Sequence, residues 1–186
     1  MTDNGSAMGE PDKREVAVKY DSLGGRIYDL RYSDEQGAKY DALLKTMTPG
    51  PDKTALDIGC GTGLLAERLE SRIIGLDIST VLISTALSRL RGKGSSHLVM
   101  GDAEALPFRD FSIDRVYSVT LLQNVPDPLS ALLEMKRVGR FKVGVTGLKK
   151  AFTGESFRLL LEEGGFSSFV ILDSSGLNDW IAVIDL

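Results

Sequence analysis

Beyond residue 53, short apolar runs alternate with stretches in which apolar residues recur every three or four positions. The runs predict buried strands at residues 54–58, 72–78, 97–101, 113–122, 141–146, 168–173 and 180–185. The periodic stretches predict helices at residues 64–70, 79–91, 128–138 and 155–163. This alternation is typical of an α/β fold with a doubly wound, mostly parallel sheet, here of seven strands. Because the last two strands lie too close together for an intervening helix, we expect the last strand to be antiparallel.

The residues before this alternating region have a different character. Residues 1–14 are polar and show no apolar period, so we expect a loose, disordered tail. In residues 15–47, apolar residues recur at helical intervals, and the pattern predicts two helices with a joint at Gly24-Gly25 and a cap at Ser33. The predicted organisation is a tail followed by a single domain over residues 15–186, with a helical cover (15–47) and an α/β core (54–186).

Composition narrows the class of protein. The chain has 186 residues, of which 42% are apolar and 26% charged, as expected for one globular domain. No apolar run approaches the length of a membrane span and the amino terminus has no apolar signal core, so we expect a cytoplasmic protein without a membrane partner. A single cysteine and a single histidine predict no metal site. The net charge of −4 argues against a surface that binds nucleic acid throughout.

The candidate chemistry begins where the first predicted strand ends, in the sequence D-I-G-C-G-T-G that contains Asp57, Gly59, Gly61 and Gly63. Glycines can take positive φ and let a ligand approach the backbone, and the amides that open the next helix carry partial positive charge. A nucleotide-phosphate loop would continue with lysine, whereas Leu64 follows here. The spacing G-x-G-x-G also differs from the dinucleotide fingerprint G-x-G-x-x-G. The turn therefore predicts a bulky ligand of another class.

Two further acids end the next two predicted strands. Asp77 follows Asp57 by about 20 residues, a spacing that places a carboxylate near ribose hydroxyls in this kind of fold. The alternative is that Asp77 only caps the helix beside Ser79. Asp102 ends the third strand in the sequence G-D-A-E-A-L-P-F. Because the carboxyl ends of parallel strands meet at one edge of a sheet, we expect all three acids to lie near the glycine turn.

In these residues the chain resembles the class I S-adenosylmethionine-dependent methyltransferases, in particular their small methyltransferase-11-like domains. The first motif of the family is D/E-x-G-x-G-x-G, and the segment from Asp57 to Gly63 fills every position. The resemblance implies a Rossmann-like methyltransferase fold, with the last strand inserted beside the fifth. It also implies that the cofactor is S-adenosyl-L-methionine and that the protein is a transferase.

The resemblance further implies which residues bind the cofactor. Asp77 matches the position that binds ribose, and Asp102 with the amide of Ala103 matches the segment that holds adenine. Tyr20 and Tyr28 would line the methionine end from the helical cover, the alternative being that these tyrosines only pack the helices onto the sheet. The full predicted cofactor set is Tyr20, Tyr28, Asp57, Gly59, Gly61, Gly63, Asp77, Ile78, Asp102, Ala103 and Leu121.

The end of the fourth predicted strand faces the methyl group in this family, and here it is unconventional. The sequence contains neither the N/D-P-P-Y/F/W motif of amine-methylating enzymes nor a histidine pair. Gln123 and Asn124 are the candidate catalytic residues, because either could hold a nucleophile through its amide oxygen. Either could equally cap the following helix. With no obvious base, we expect alignment and exclusion of water to supply most of the catalysis.

The methyl acceptor can be argued only from architecture. The connections at residues 145–155 and 173–180 are short, which predicts an open cleft suited to a macromolecular acceptor such as tRNA or a protein. A basic run between Lys136 and Lys150 could contact phosphates, although it could also be a solvated surface. The alternatives are a small-molecule methyltransferase and a noncatalytic subunit that binds S-adenosylmethionine. A nicotinamide or nucleotide-sugar enzyme is a further alternative that the glycine spacing disfavours.

A partner protein is a related expectation. The resemblance implies that some small methyltransferases depend on a compact zinc-binding activator protein, which would dock on an unpaired strand edge or an exposed apolar patch. The simpler alternative is an enzyme that is complete by itself and is closed by Tyr20 and Tyr28.

Overall fold

The structure is a computed structural model that describes residues 12–23, 25–172 and 176–186. The side chains of residues 19, 23 and 25–34 lie outside the description, and so does the predicted tail up to residue 11.

Seven strands form one sheet in the order β3-β2-β1-β4-β5-β7-β6. Their bounds are β1 Thr54–Ile58, β2 Arg72–Asp77, β3 Ser96–Met100, β4 Ile113–Ser118, β5 Gly139–Leu148, β6 Phe169–Leu172 and β7 Asp179–Asp185. Strands β1 to β5 pair in parallel, and β7 lies antiparallel between β5 and β6. The predicted fold class is confirmed, including the insertion of the last strand beside the fifth.

Six α-helices and one short 3-10 helix connect or cover the strands in the described part of the chain. They are α1 Lys13–Leu23, α2 Gly25–Met47, α3 Leu64–Arg68, α4 Thr80–Arg89, α5 Pro128–Val138, α6 Gly154–Glu163 and the 3-10 helix Leu122–Asn124. No described helix is long and apolar enough to cross a membrane.

Strand β4 ends earlier than the sequence predicts. The apolar, β-branched run extends to Leu122, yet the strand ends at Ser118. Two residues later Thr120 has φ of 61°, which is incompatible with extended backbone, and the 3-10 helix follows. The prediction of strand at residues 119–122 was wrong because contacts from other elements set this conformation.

The helical cover differs from the prediction in one respect. Helix α1 ends at Leu23 and α2 begins at Gly25, which agrees with a joint between them, although Gly24 itself lies outside the description. Helix α2 then continues without interruption to Met47, so the predicted cap at Ser33 was wrong. Serine and aspartate are only moderately weak helix formers and glutamate is a good one, so residues 33–35 do not end the helix, which also continues through Gly37. Helix α1 begins at Lys13, two residues before the predicted start.

The core fills both faces of the sheet. Buried apolar side chains of α5 and α6, such as Met135 and Phe157, pack on one face. Those of α2 and α3, such as Leu43 and Leu65, pack on the other. The hydroxyl of the fully buried Tyr117 donates a hydrogen bond to the carbonyl of Met47 at 2.5 Å, which ties β4 to the end of α2. This arrangement fixes the carboxyl ends of β1, β2, β3 and β4 at one edge, where the site lies.

Candidate functional site

The glycine turn after β1 depends on backbone conformations that favour glycine. Gly59, Gly61 and Gly63 have φ of 73°, 54° and 81°. The amides of Gly59 and Cys60 donate to the carbonyl of Leu76 at 2.8 and 3.0 Å, so the turn is bonded to β2. A Cβ on Gly59 would lie 3.0 Å from Leu121 Cδ1, and one on Gly63 would lie 3.2 Å from the Cβ of a helix α4 alanine. The turn is therefore held in one conformation with its backbone exposed to a neighbouring cleft.

Asp77, at the end of β2, is bonded to the turn. Its Oδ2 accepts from the amide of Gly61 and its Oδ1 from the amide of Ser79, both at 2.9 Å. The side chain is buried, and burial raises its pKa although these backbone hydrogen bonds oppose the shift. Ser79 itself caps helix α4, because its hydroxyl accepts from the amide of Leu82. Asp77 thus organises the turn, while each of its oxygens keeps a lone pair for a ligand hydroxyl.

Asp57 lies beneath the turn and is 2% exposed. Its Oδ2 has no hydrogen-bond partner among the described residues. Burial raises the pKa of Asp57 to about 7, and the nearby charge of Asp77 adds to the shift. A buried carboxylate without a cation is costly, so this position favours a ligand that brings positive charge.

A cleft of about 680 Å³, open to solvent, lies beside the turn; we call it the turn cleft. The predicted residues that line it are Tyr20, Gly59, Gly61, Asp77, Ile78, Asp102, Ala103, Leu121 and Asn124. Among the other predicted residues, Asp57 and Gly63 do not line this cleft and Gln123 lines a different one. The side chain of Tyr28 lies outside the description.

Lys13 crosses the far end of the turn cleft. Its ammonium contacts Asp102 Oδ2 at 2.7 Å and Glu104 Oε2 at 2.5 Å. The hydrogen bond to Asp102, followed by that to Glu104, raises the pKa of Lys13. Sequence analysis placed this lysine in the tail, and no local pattern distinguishes it from other charged residues there. The contact brings α1 over the segment predicted to hold adenine.

A second cleft, of about 970 Å³, adjoins the first; we call it the polar cleft. Tyr20, Thr120 and Asn124 line both clefts and form their shared wall. The remaining lining residues are Glu35, Gln36, Lys39, Gln123, Leu148, Lys150 and Asn178. All of the lining residues except Leu148 carry an amide, hydroxyl or charged side chain.

Of the two predicted catalytic residues, Asn124 belongs to this wall and Gln123 lines only the polar cleft. Asn124 Nδ2 donates to the carbonyl of Thr120 at 2.8 Å, which fixes the orientation of the amide. Gln123 Oε1 is buried and has no hydrogen-bond partner in the described part of the chain. Neither residue caps helix α5, because Asp127 does so by accepting from the amide of Ser130. The alternative reading of both residues as helix caps was therefore wrong.

The sequence did not predict three residues of the polar cleft, Gln36, Lys39 and Thr120. Gln36 and Lys39 are 2% and 1% exposed, on the same face of α2 as the buried Leu43. The sequence did contain one indication of their role, because a glutamine and a lysine within the apolar face of a helix are expected to be buried with polar partners. Thr120 carries no such signal, because its residue type suits the strand that the sequence predicts.

The basic run predicted as a phosphate contact is distributed over the molecule. Arg137 is paired with Glu134 and Asp110, and Lys142 with Asp185. These pairs lie near the amino-terminal end of β5, whereas both clefts lie at the carboxyl ends of the strands. Of the run, only Lys150 lines the polar cleft.

Comparison with known proteins agrees with this geometry. The family profile described as a methyltransferase domain matches residues 56–141. A malonyl-[acyl-carrier protein] O-methyltransferase from Marinomonas is 34% identical over 131 residues, which cover 68% of this chain and 48% of the relative. A demethylmenaquinone methyltransferase from Geobacillus kaustophilus is 38% identical over 132 residues, covering 67% of this chain and 55% of the relative. The chain belongs to the class I S-adenosylmethionine-dependent methyltransferase family.

The methyltransferase fold extends to solved structures with lower sequence identity. A methyltransferase from Haloferax volcanii, solved in complex with the Trm112 methyltransferase activator, superposes with a TM-score of 0.76 and 15% identity, covering 90% of this chain and 97% of that one. This likeness concerns the fold alone. The chain spans about half the length of the curated methyltransferases that it matches.

The site fits S-adenosyl-L-methionine, the cofactor of this methyltransferase family. The cofactor carries an ammonium and a sulfonium, and the described residues supply no partner to Oδ2 of the buried Asp57 side chain. Asp77 is available to ribose hydroxyls, and Asp102 and Ala103 line the other end of the turn cleft. The chemistry of these groups is therefore compatible with the cofactor.

Proposed function

We propose that this chain transfers a methyl group from S-adenosyl-L-methionine, bound in the turn cleft, to an acceptor that enters the polar cleft. The observation that supports this proposal is the wall of Tyr20, Thr120 and Asn124, which both clefts share. Ligands in the two clefts would meet at that wall. Transfer requires close alignment of the two reacting groups, and two adjoining clefts provide it.

In the proposed reaction the cofactor supplies an electrophilic methyl group, and the protein aligns the acceptor. The side-chain amide of Asn124 is held by Thr120 through its nitrogen, which leaves Oδ1 to accept a hydrogen bond from the acceptor. Gln123 also lines the polar cleft, and its Oε1, which has no hydrogen-bond partner among the described residues, is a second such group. Two amide oxygens favour an acceptor atom that carries hydrogen, namely an amine, amide or hydroxyl.

We further propose that the acceptor group is presented by a macromolecule such as tRNA or a protein. The connection between β5 and α6 covers only residues 149–153, and the described part of the β6–β7 connection contributes only Asn178 to the polar cleft. Short connections leave the cleft open. The name of the Marinomonas relative describes an acceptor that is itself attached to a carrier protein.

A small-molecule acceptor is the second candidate. The demethylmenaquinone methyltransferases among the relatives favour it, because their named acceptor is a small molecule. The lining of the polar cleft argues against an equally apolar acceptor here, since a quinone ring would desolvate amides and charges without bonding them.

A noncatalytic binding subunit, or an enzyme that requires a small zinc-binding activator protein, is the third candidate. The methyltransferase from Haloferax volcanii was solved in complex with an activator, and its similarity in fold is the support for an activator here. The free edges of the sheet are β3 and β6, and each exposes an apolar side chain, Met100 on β3 and Val170 on β6. Such edges are suited to docking.

The test is transfer of a labelled methyl group from S-adenosylmethionine to RNA, protein and metabolite fractions of a cell extract. We expect label in the RNA or protein fraction, sensitive to nuclease or protease respectively. Gly61→Val, designed not to bind cofactor, serves as the background control. Label in the metabolite fraction alone would overturn the macromolecular proposal.

Two further measurements separate the remaining candidates. Cofactor binding by calorimetry, without label in any fraction, would identify a noncatalytic subunit. Label that appears with unfractionated extract but not with the purified chain and purified acceptor would support the activator. An Asn124→Ala variant with unchanged turnover would remove Asn124 from the proposed alignment.

A further inference from the structure

The residue between the two clefts, Thr120, has a backbone conformation that its residue type disfavours. Its φ of 61° lies in the left-handed region, where a β-branched residue is rare. Its amide donates to Thr146 Oγ1 at 2.8 Å, and its carbonyl accepts from Asn124 Nδ2. A strained residue of this kind persists only where its surroundings hold it.

Two side chains from helix α2 hold the hydroxyl of Thr120. Lys39 Nζ donates to Thr120 Oγ1 at 2.9 Å, and Gln36 Nε2 donates to the same oxygen at 3.0 Å. Every polar atom of Thr120 is therefore bonded to another residue. Two of the four partner groups come from helix α2, one from strand β5 and one from the 3-10 helix. Three separate elements therefore determine this conformation.

Behind Thr120 lies a buried ion pair that orients these groups. Lys39 Nζ is 2.8 Å from Asp179 Oδ1 on strand β7 and 3.0 Å from Glu35 Oε1. Asp179 is fully buried, and its Oδ2 accepts from Thr146 Oγ1 at 2.9 Å. The pair thus fixes both groups that reach Thr120, the ammonium on one side and the Thr146 hydroxyl on the other.

Stability alone is a weak reason for such a pair. Two charges lose their hydration when they are buried, and apolar residues of similar volume are often equally stable in their place. The pair is also located at the shared wall, with Lys39 lining the polar cleft. Its position therefore indicates a role in the geometry of that wall.

We infer that Lys39 and Asp179 are positioning residues, which hold Thr120 in its left-handed conformation and thereby fix the side-chain amide of Asn124 between the clefts. The inference rests on the proposed function, because that function assigns the alignment of the acceptor to Asn124. The residues act through Thr120 and need no contact with either ligand.

The first test reads the Asn124 amide directly, without turnover. Asn124 is one of three asparagines in the chain, so selective ¹⁵N labelling of asparagine gives few side-chain signals, and loss of a signal in Asn124→Ala assigns it. We expect Lys39→Met combined with Asp179→Asn to move this signal to the position of a free amide. The paired replacement leaves no unpaired buried charge, because Glu35 reaches solvent. An unmoved signal would overturn the inference.

Thr120→Gly separates positioning from a general loss of stability. Glycine adopts the left-handed conformation without strain, so the Lys39/Asp179 replacement should no longer displace Asn124 in this background. Methyl transfer is measured with the extract fraction that takes up label in the transfer assay. We expect the Lys39/Asp179 replacement to lower transfer by about tenfold or more in the parent chain, and by less than about threefold in the Thr120→Gly chain. Equal losses in both backgrounds would overturn the inference.

Two controls keep the outcomes distinct. Lys45→Met removes an exposed lysine from the same helix and should change neither the Asn124 signal nor transfer. If the paired replacement does not fold, Thr146→Val keeps both charges of the pair but removes the partner of the Thr120 amide and one hydrogen bond to Asp179. It should move the same signal, and an unmoved signal there would overturn the inference. If the parent chain does not bind S-adenosylmethionine, that result contradicts the proposed function. The Asn124 signal would still test whether Lys39 and Asp179 position Asn124.

Discussion

The carboxylate of Asp77 accepts a hydrogen bond from the backbone amide of Gly61 at 2.9 Å. An acid at the end of β2 thus fixes the middle glycine of the turn that follows β1. The two residues lie 16 positions apart, and the pairing of β1 with β2 brings them together.

Asp77→Ala should weaken S-adenosylmethionine binding by about 1.5 to 3 kcal/mol, the range for hydrogen bonds to a charged group, with the fold retained. The variant loses the group predicted to accept from ribose and also the bond that orients the turn. Calorimetric titration measures the change. Glu70→Ala, which removes an exposed acid outside both clefts, is the control, and equal affinity of Asp77→Ala and the parent would show that ribose is held elsewhere.

Gly61→Val should abolish cofactor binding. Gly61 has φ of 54° and lines the turn cleft, so a branched side chain would strain the backbone and occupy ligand space. Gly92→Val is a matched control, because Gly92 has φ of 87° but nothing lies within 4 Å of its Cβ position. We expect both variants to lose thermal stability and only Gly61→Val to lose binding. A Gly61→Val protein that binds cofactor would refute the assignment of the turn.

Asp57 should make the stability of the cofactor-free protein depend on pH. Its pKa rises from the ordinary 3.8 to about 7, so between these values the folded protein keeps a proton that the unfolded chain releases. The free energy of unfolding should therefore fall as the pH rises from about 4 to about 7. The difference between 3.8 and about 7 corresponds to a loss of at most about 4 kcal/mol. Denaturant unfolding at a series of pH values measures it.

Asp57→Asn tests the origin of that dependence. The amide does not titrate, so the fall of the unfolding free energy with pH should become shallower in this variant. Asp77, whose pKa burial also raises, should account for part of what remains. An unchanged profile would show that Asp57 is ionised in the folded protein at neutral pH, contrary to the expected cost of its burial.

Gln123→Met should lower methyl transfer without changing cofactor binding. The Oε1 of Gln123 is buried and accepts no hydrogen bond from the residues that the structure describes, so a methionine of similar size should leave the melting temperature unchanged or raise it. Affinity for S-adenosylmethionine should stay within about twofold, because Gln123 lines only the polar cleft. Transfer to the labelled fraction should fall. A variant with full transfer would remove Gln123 from the acceptor site.

The sequence by itself determined the fold class, and it predicted the glycine turn and the acids that the structure places beside it. A strand, a glycine turn and a helix are encoded in consecutive residues, so Asp57 and the three glycines could be identified from local pattern. The positions of Asp77 and Asp102 then follow from one general property, that the carboxyl ends of neighbouring parallel strands meet at the same edge. Helix α5 has the predicted bounds because a capping aspartate, a proline and an apolar period all agree there.

Only the tertiary structure decided the wall between the two clefts. Lys39 and Thr120 lie 81 residues apart, and their contact exists because α2 packs over β7 and the end of β4. Nothing local indicates that Lys39 pairs with Asp179 or that Lys13 reaches Asp102. The conformation of Thr120 shows the physical reason, because its own sequence favours a continuing strand. Hydrogen bonds from Lys39 and Gln36, and its own to Thr146, outweigh that local preference once the elements are packed together.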